Sequence, residues 1–195
     1  MAEIKSTMEL VMERAAGFGK ATNEDIQREE AQKKGMRLTA EYLDNTLAGL
    51  MDTLLSMDKT TQTAVRIGMV ESLLRNIFLP RDVIQQERAE KAADGLSELA
   101  GGAGDISVIC QELKQIIGGY MQHRDEVRGQ FEEQMKMQYQ HALAQQGIEG
   151  SEINIDLTAQ PKFQEEWGKI EVELNSRYNE ALEQHKMNVK QRMGA

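Results

Sequence analysis

The longest helical pattern in the chain is DISVICQELKQIIGGYMQHRDEVRGQFEEQMKMQYQHALAQQ, residues 105–146. Its apolar residues recur every three or four positions and no proline interrupts them, which is the pattern of an α-helix. The later members are spaced by four, so the apolar stripe winds around the helix. The stripe consists of Ile106, Ile109, Leu113, Ile116, Tyr120, Val127, Phe131, Met135, Tyr139 and Leu143. We expect Asp105 or Ser107 to cap this helix. The sequence leaves two alternatives at Gly118–Gly119, a kink or a continuous helix.

The length of this helix has consequences for the whole chain. About 40 helical residues extend about 60 Å, whereas a compact chain of this size has a radius of gyration of about 16 Å. The helix is therefore expected to protrude or to lie along a partner.

A second long helix is predicted to begin at Pro161, because proline suits the first turn of a helix. Its inner face is predicted to consist of Phe163, Trp167, Ile170, Leu174, Tyr178, Leu182, His185 and Val189. Pairing this helix antiparallel with the first predicts a C-terminal helical hairpin over residues 105–193, with a loop at 147–160. Two-helix hairpins bury little apolar surface, so we expect dimerisation or docking on a partner.

The sequence before residue 100 predicts an N-terminal helical bundle over residues 1–100. A first helix is expected from Ser6 to Gly17, and a second is expected to start at Thr22. From Met36 to Met57 the apolar residues alternate in steps of four and three, which is the seam of a coiled coil. This seam consists of Met36, Ala40, Leu43, Leu47, Leu50, Leu54 and Met57. A more apolar helix at 61–78 is predicted to sit centrally, and Pro80 is predicted to open the helix after it. The glycine-rich stretch at 101–104 marks the boundary before the hairpin, and the predicted fold class is all-α.

Composition narrows the function. The 195 residues carry a formal net charge of -9 and a single cysteine. Phosphate backbones and anionic lipids repel such a chain on average, so no nucleic-acid partner is expected. No apolar run is long enough for a membrane span, and the N-terminus does not resemble a secretory signal, so we predict a cytoplasmic protein. Cys110 lies in an apolar run and is predicted to be a small buried hydrophobe.

The predicted loop carries the sharpest binding hypothesis. Ile153, Ile155 and Leu157 alternate with polar residues, which predicts a short strand that pairs with its copy in a second subunit or with the edge strand of a partner. Trp167, with Phe163 one turn earlier, either anchors the loop onto the hairpin or is an interface hot spot. Replacing Ile155 with proline is expected to abolish association while the helices stay folded.

The sequence contains few signs of catalysis or metal binding. No serine or cysteine stands beside a local base, and no metal-ligand spacing occurs, so we predict neither an enzyme nor a cofactor. The alternative is a ligand- or metal-binding bundle with a site where His123 and His185 meet across the hairpin. The twelve methionines are expected mainly in the core, with an exposed adaptable face as the alternative.

Two stretches together resemble a known family: MAEIKSTMELVMER at residues 1–14, and GIEGS at 147–151 ahead of the helix start at Pro161–Trp167. They are similar to an uncharacterised family of short helical proteins from anaerobic sulfate- and metal-reducing bacteria. The resemblance implies a bacterial, cytoplasmic origin. The family has no assigned activity, so no functional residue carries over. From the residues themselves we predict a non-enzymatic interaction or scaffold protein that self-associates or docks on a larger assembly.

Overall fold

The protein is all-helical, as its sequence predicts. The computed structural model describes Met8, residues 23–145 and residues 157–195, and no strand occurs among them. Met8 is helical, and the rest of the predicted first helix lies outside the described residues. From residue 23 onward the described elements are α1 (Asn23–Leu43), α2 (Leu50–Leu55), α3 (Lys59–Arg75), α4 (Val83–Leu99), α5 (Gly104–Gln145), a 3-10 turn (Leu157–Ala159) and α6 (Pro161–Met193).

The heptad spacing predicts one continuous helix up to Met57. This prediction is wrong, because a turn separates α1 from α2. Asn45 has a φ of 61°, a left-handed conformation that asparagine tolerates better than most residues. The amides of Thr46 and Leu47 both donate to the Glu41 carbonyl, at 2.9 and 3.2 Å. The Glu98 carboxylate of α4 accepts from the amide of Met51 at 2.8 Å. The heptad spacing therefore marks buried positions on both sides of a turn, and it does not require one helix to continue through them.

The face that α1 buries also differs from the predicted seam. Ala31, Gly35 and Thr39 are buried, whereas Met36 is half-buried and Ala40 is exposed. α1 crosses α3 with backbone against backbone, so the contact selects small side chains. A hydrophobicity pattern gives no weight to glycine and threonine, so it included Leu43, which is buried, but missed Gly35 and Thr39.

α3 is the central helix that its composition predicted. It packs against α1, α2, α4 and α6. Its buried residues are Val65, Gly68, Met69, Val70, Leu73 and Leu74. Pro80 lies in the loop before α4 and not in its first turn. Asp82 caps α4 instead, since its carboxylate accepts from the Gln85 amide at 2.8 Å.

One buried core spans the glycine-rich stretch where the sequence predicted a boundary. Gly101 and Gly102 have φ angles of 61° and 84°, which turn the chain from α4 into α5. Before this stretch, α4 contributes Leu96 and Leu99 to the core. After it, α5 contributes Ile109, Leu113 and Ile117 to the same core. Leu182, Val189 and Met193, near the end of α6, belong to the same core. The division into an N-terminal unit at 1–100 and a C-terminal unit at 105–193 stays a prediction. Both ranges contribute side chains to this core.

Both long helices have the extent that the sequence predicted. α5 has 42 residues and runs through Gly118–Gly119 as one helix. α6 has 33 residues and begins at Pro161. Each predicted inner-face residue of α6 is buried or half-buried, because helical periodicity alone determines which residues share a face.

Candidate interaction surface on the two long helices

α5 and α6 run antiparallel, as the pairs that join them show. Asp105 pairs with Arg192, Tyr120 bonds Asn175 at 2.7 Å, and Arg124 pairs with Glu171 at 2.9 Å. As the residue number rises on α5, it falls by nearly the same amount on α6. A residue of one helix can therefore be assigned to the level of a residue on the other.

A polar layer lies where the shared core ends. Tyr120 is the last fully buried residue of α5, and burial raises the pKa of its phenol, which therefore stays protonated and donates to Asn175. The Tyr178 hydroxyl lies 3.2 Å from His123 Nδ1, and its ring packs edge-on against Tyr120 with centroids 5.4 Å apart. Side chains with this many partners hold the two helices in one register.

The Arg124 side chain extends this layer to a third element. Its guanidinium donates to Glu171 on α6 and, at 3.4 Å, to the Arg81 carbonyl in the loop before α4. Both members of the Arg124–Glu171 pair are less than a third exposed, which makes the pair less screened than the surface ion pairs around it. Arg124 and Glu171 lie 47 residues apart in the chain. No local sequence pattern predicts such a pair, so it was not among the predicted contacts.

Burial falls sharply beyond Arg124. We call residues 125–145 of α5 and 161–170 of α6 the distal arm. No α5 residue of the distal arm is buried, although the apolar stripe continues along it. The half-buried members of the stripe are Val127, Phe131, Met135, Tyr139 and Leu143. Met137 is 63% exposed. The distal arm therefore presents apolar side chains that α6 covers only in part.

Three aromatic rings hold the distal arm together. Phe131 packs against Phe163 with centroids 4.9 Å apart and against Trp167 at 6.4 Å. The Arg128 guanidinium carbon lies 5.8 Å from the centroid of the Trp167 ring, a cation–π contact, and its Nε donates to Glu132. Phe163 and Trp167 are 2% and 8% exposed.

The predicted interface residues have different locations. Ile153 and Ile155 lie outside the described residues. Leu157 does not extend a strand but begins the 3-10 turn, which packs against both α5 and α6. Phe163 and Trp167 lie between the two long helices. The structure adds Phe131 to them, which the sequence placed on the apolar stripe without assigning it to the site.

The two histidines of the alternative hypothesis do not meet. His123 contacts Tyr178, whereas His185 Nδ1 lies 3.3 Å from the Glu112 carboxylate without hydrogen-bonding geometry. His185 follows Tyr178 by seven residues, which is about 10 Å along the helix. Across the described ranges, no group of three or more His, Cys, Asp or Glu side chains is arranged to hold a metal ion.

Cys110 is the buried hydrophobe that its neighbours in the sequence predicted. It is 3% exposed, and burial, with a smaller effect from Asp94, raises the pKa of its thiol to about 11. A groove beside it, between α4 and α5, contains two polar pairs. Lys114 binds Asp94 at 2.7 Å, and the hydroxyls of Ser97 and Ser107 lie 3.0 Å apart.

The methionines divide between the core and the surface. Met69 and Met193 are buried. The methionines that are half-buried on core-facing positions include Met36, Met51, Met57 and Met121. Met137 and Met187 are 63% and 65% exposed. Both of these exposed residues are on the long helices.

The comparison with known families gives one match. The model of a family of unknown function, DUF6657, matches residues 51–191. The chain belongs to this family. The matched range includes α3 to α5, all but the last two residues of α6 and hence the whole distal arm, but not α1 or residues 1–14. It includes the second of the two stretches that carried the resemblance. No curated protein matches the chain. No solved structure matches it either.

Among the described residues, no helix combines the length and the apolar character that crossing a bilayer requires.

Proposed function

We propose that this protein is a non-enzymatic interaction protein, built as an N-terminal helical bundle that carries a long helical hairpin. The observation that carries the proposal is the loss of burial along α5. The helix continues for 25 residues beyond Tyr120 and keeps its apolar stripe, yet none of these residues is fully buried. A helix that retains an apolar face without burying it supports association with another helix surface.

The distal arm is the proposed binding surface. Its aromatic cluster of Phe131, Phe163 and Trp167 joins the two helices, while Met137 and the half-buried stripe are accessible. Methionine suits such a surface because its side chain is flexible and polarizable.

The protein either self-associates through this surface or docks on a larger assembly, and its charge is compatible with the first route. The distal arm has four basic and six acidic residues, a net charge of -2, while the whole chain has -9. A second copy of the arm is therefore repelled only weakly at physiological ionic strength.

The first experiment is size-exclusion chromatography with light scattering over a dilution series. It compares the wild type with Met137→Glu, and uses Met187→Glu as a matched control with nearly the same exposure outside the distal arm. If the wild type self-associates, Met137→Glu is expected to raise the dissociation constant at least about tenfold. The reason is that a methionine buried by the association is replaced by a charge. The control is expected to associate as the wild type does.

The monomeric outcome also has a meaning. An elongated wild-type monomer supports docking on another protein, and the same pair of variants then tests binding to that protein in native-cell extracts. A compact, round monomer contradicts the proposal, as does a Met137→Glu variant that associates like the Met187→Glu control. The histidine-based ligand site is not advanced as a second function, because His123 and His185 lie at different levels of the helix pair.

A further inference from the structure

A pair of glycines lies at one level of the distal arm. Arg128 stacks over the ring of Trp167, with 5.8 Å between the guanidinium carbon and the ring centroid. The next residues in the chain are Gly129 on α5 and Gly168 on α6. Because the helices are antiparallel, these two steps lead in opposite directions, and the two glycines lie about 3 Å apart along the axis, within one helical turn of each other.

Packing does not account for either glycine. A Cβ placed on Gly129 or on Gly168 would meet no atom within 4 Å, whereas one on Gly35 or on Gly68 would meet a backbone oxygen at 2.1 Å. Glycine at an open position lowers the helix-forming equilibrium about fivefold relative to alanine. Both helices of the pair are therefore weakened at one level, without the close approach that explains Gly35 and Gly68.

The contacts between α5 and α6 change character just before this level. Among the described side chains, the hydrogen bonds and ion pairs that join the two helices end with Arg124 and Glu171. Beyond them the helices are joined by the rings of Phe131, Phe163 and Trp167 and by the Arg128 contact. Ring packing tolerates changes of angle that a directional hydrogen bond does not.

From these three observations we infer that the distal arm bends at the level of Gly129 and Gly168. The part of the helix pair up to Arg124 stays in register through its polar layer, and the part beyond it changes angle. The inference does not depend on the proposed function. If the arm is a binding surface, the bend lets one surface fit partners of different shape.

The test is a distance measurement between two spin labels on α5. Gln115 and Gln140 are both exposed and are replaced by cysteine for labelling, with Cys110→Ala removing the native thiol. An unbent helix places the two sites about 38 Å apart. The wild-type distance distribution is expected to be broad, and G129A/G168A is expected to narrow it. Alanine fits both sites without a clash, so the double variant folds.

Gly119→Ala is the matched control, because it also adds a methyl group where no atom lies within 4 Å. On α6, the residue beside Gly119 is Tyr178 and not a glycine. We therefore expect the distance distribution of Gly119→Ala to be as broad as that of the wild type. Hydrogen exchange gives an independent readout. Protection at residues 129–133 and 168–172 is expected to rise about fivefold for each glycine replaced there. A wild-type distribution as narrow as that of G129A/G168A would overturn the inference, and so would equal narrowing in Gly119→Ala.

Discussion

Gly35 of α1 lies directly against the main chain of Val65 in α3. A Cβ at Gly35 would stand 2.1 Å from the Val65 carbonyl oxygen, and one at Gly68 would stand 2.1 Å from the Gln32 carbonyl oxygen. The Thr39 hydroxyl closes the same crossing. It lies 3.1 Å from the Gly35 carbonyl and 3.4 Å from that of Met69, and can donate to either. This crossing joins α1, which precedes the matched family range, to the central helix of the core.

Gly35→Ala is expected to destabilise the protein by about 3 kcal/mol, because a backbone oxygen cannot move aside as a side chain can. Urea denaturation followed by circular dichroism measures the loss. Gly119→Ala is the control and is expected to gain up to about 1 kcal/mol from helix propensity alone. Equal stability of the two variants would show that α1 does not pack on α3 in this way.

Phe131→Ala is expected to loosen the distal arm and to leave the core intact. Removing this half-buried ring is expected to cost the arm about 2 kcal/mol, less than the roughly 3–5 kcal/mol of a fully buried ring. Trp167 is the only tryptophan, so its fluorescence reports on the arm alone, and its emission is expected to shift to longer wavelength. The main unfolding transition by circular dichroism is expected to move little. Gln130→Ala, at the exposed neighbouring position, is the control; an unshifted emission in Phe131→Ala would contradict the ring cluster.

The hydrogen bond between Tyr120 and Asn175 is expected to contribute about 1 kcal/mol to the free energy of unfolding. Tyr120→Phe removes the hydroxyl, and Asn175→Ala removes its acceptor. A double-mutant cycle isolates the interaction from the other effects of each change. The loss of unfolding free energy in the double variant is expected to differ from the sum of the losses in the two single variants. Simple additivity would mean that the two side chains do not interact.

The Cys110 thiol is expected to be unreactive in the folded protein. At pH 8 an alkylating reagent should modify it only after urea is added, because the thiolate is the nucleophile and burial raises the pKa of the thiol to about 11. Modification of the folded protein at the rate of the unfolded chain would contradict the burial.

The same shift makes stability depend on pH. An unfolded thiol loses its proton near pH 9.0 and the folded one near about 11, so the unfolded state binds fewer protons between these values. The contribution of the thiol is therefore full below pH 9 and declines as the pH rises towards 11. Cys110→Ala lacks this component, and its stability should fall less steeply over the same range than that of the wild type. Identical slopes would contradict the shift.

Local sequence determined which segments are helical and which face of a helix is apolar. The buried face of α6 follows from its period, and the start of α6 follows from Pro161. These properties depend on residues within one or two turns of each other, so they can be predicted without knowing the neighbours. The burial of Cys110 follows in the same way from the apolar residues around it.

Tertiary structure alone decided how the helices meet. The turn at Asn45 interrupts a heptad pattern that looks continuous, and α1 buries Gly35 and Thr39 because the backbone of α3 lies against them. The Arg124–Glu171 pair and the common level of Gly129 and Gly168 depend on the register of α5 against α6. No periodicity encodes that register, because it results from the packing of side chains that are far apart in the chain. The pattern of residues along the chain thus predicts most of the helices and their apolar faces, and the packing of distant residues sets where those faces are buried and where they stay accessible.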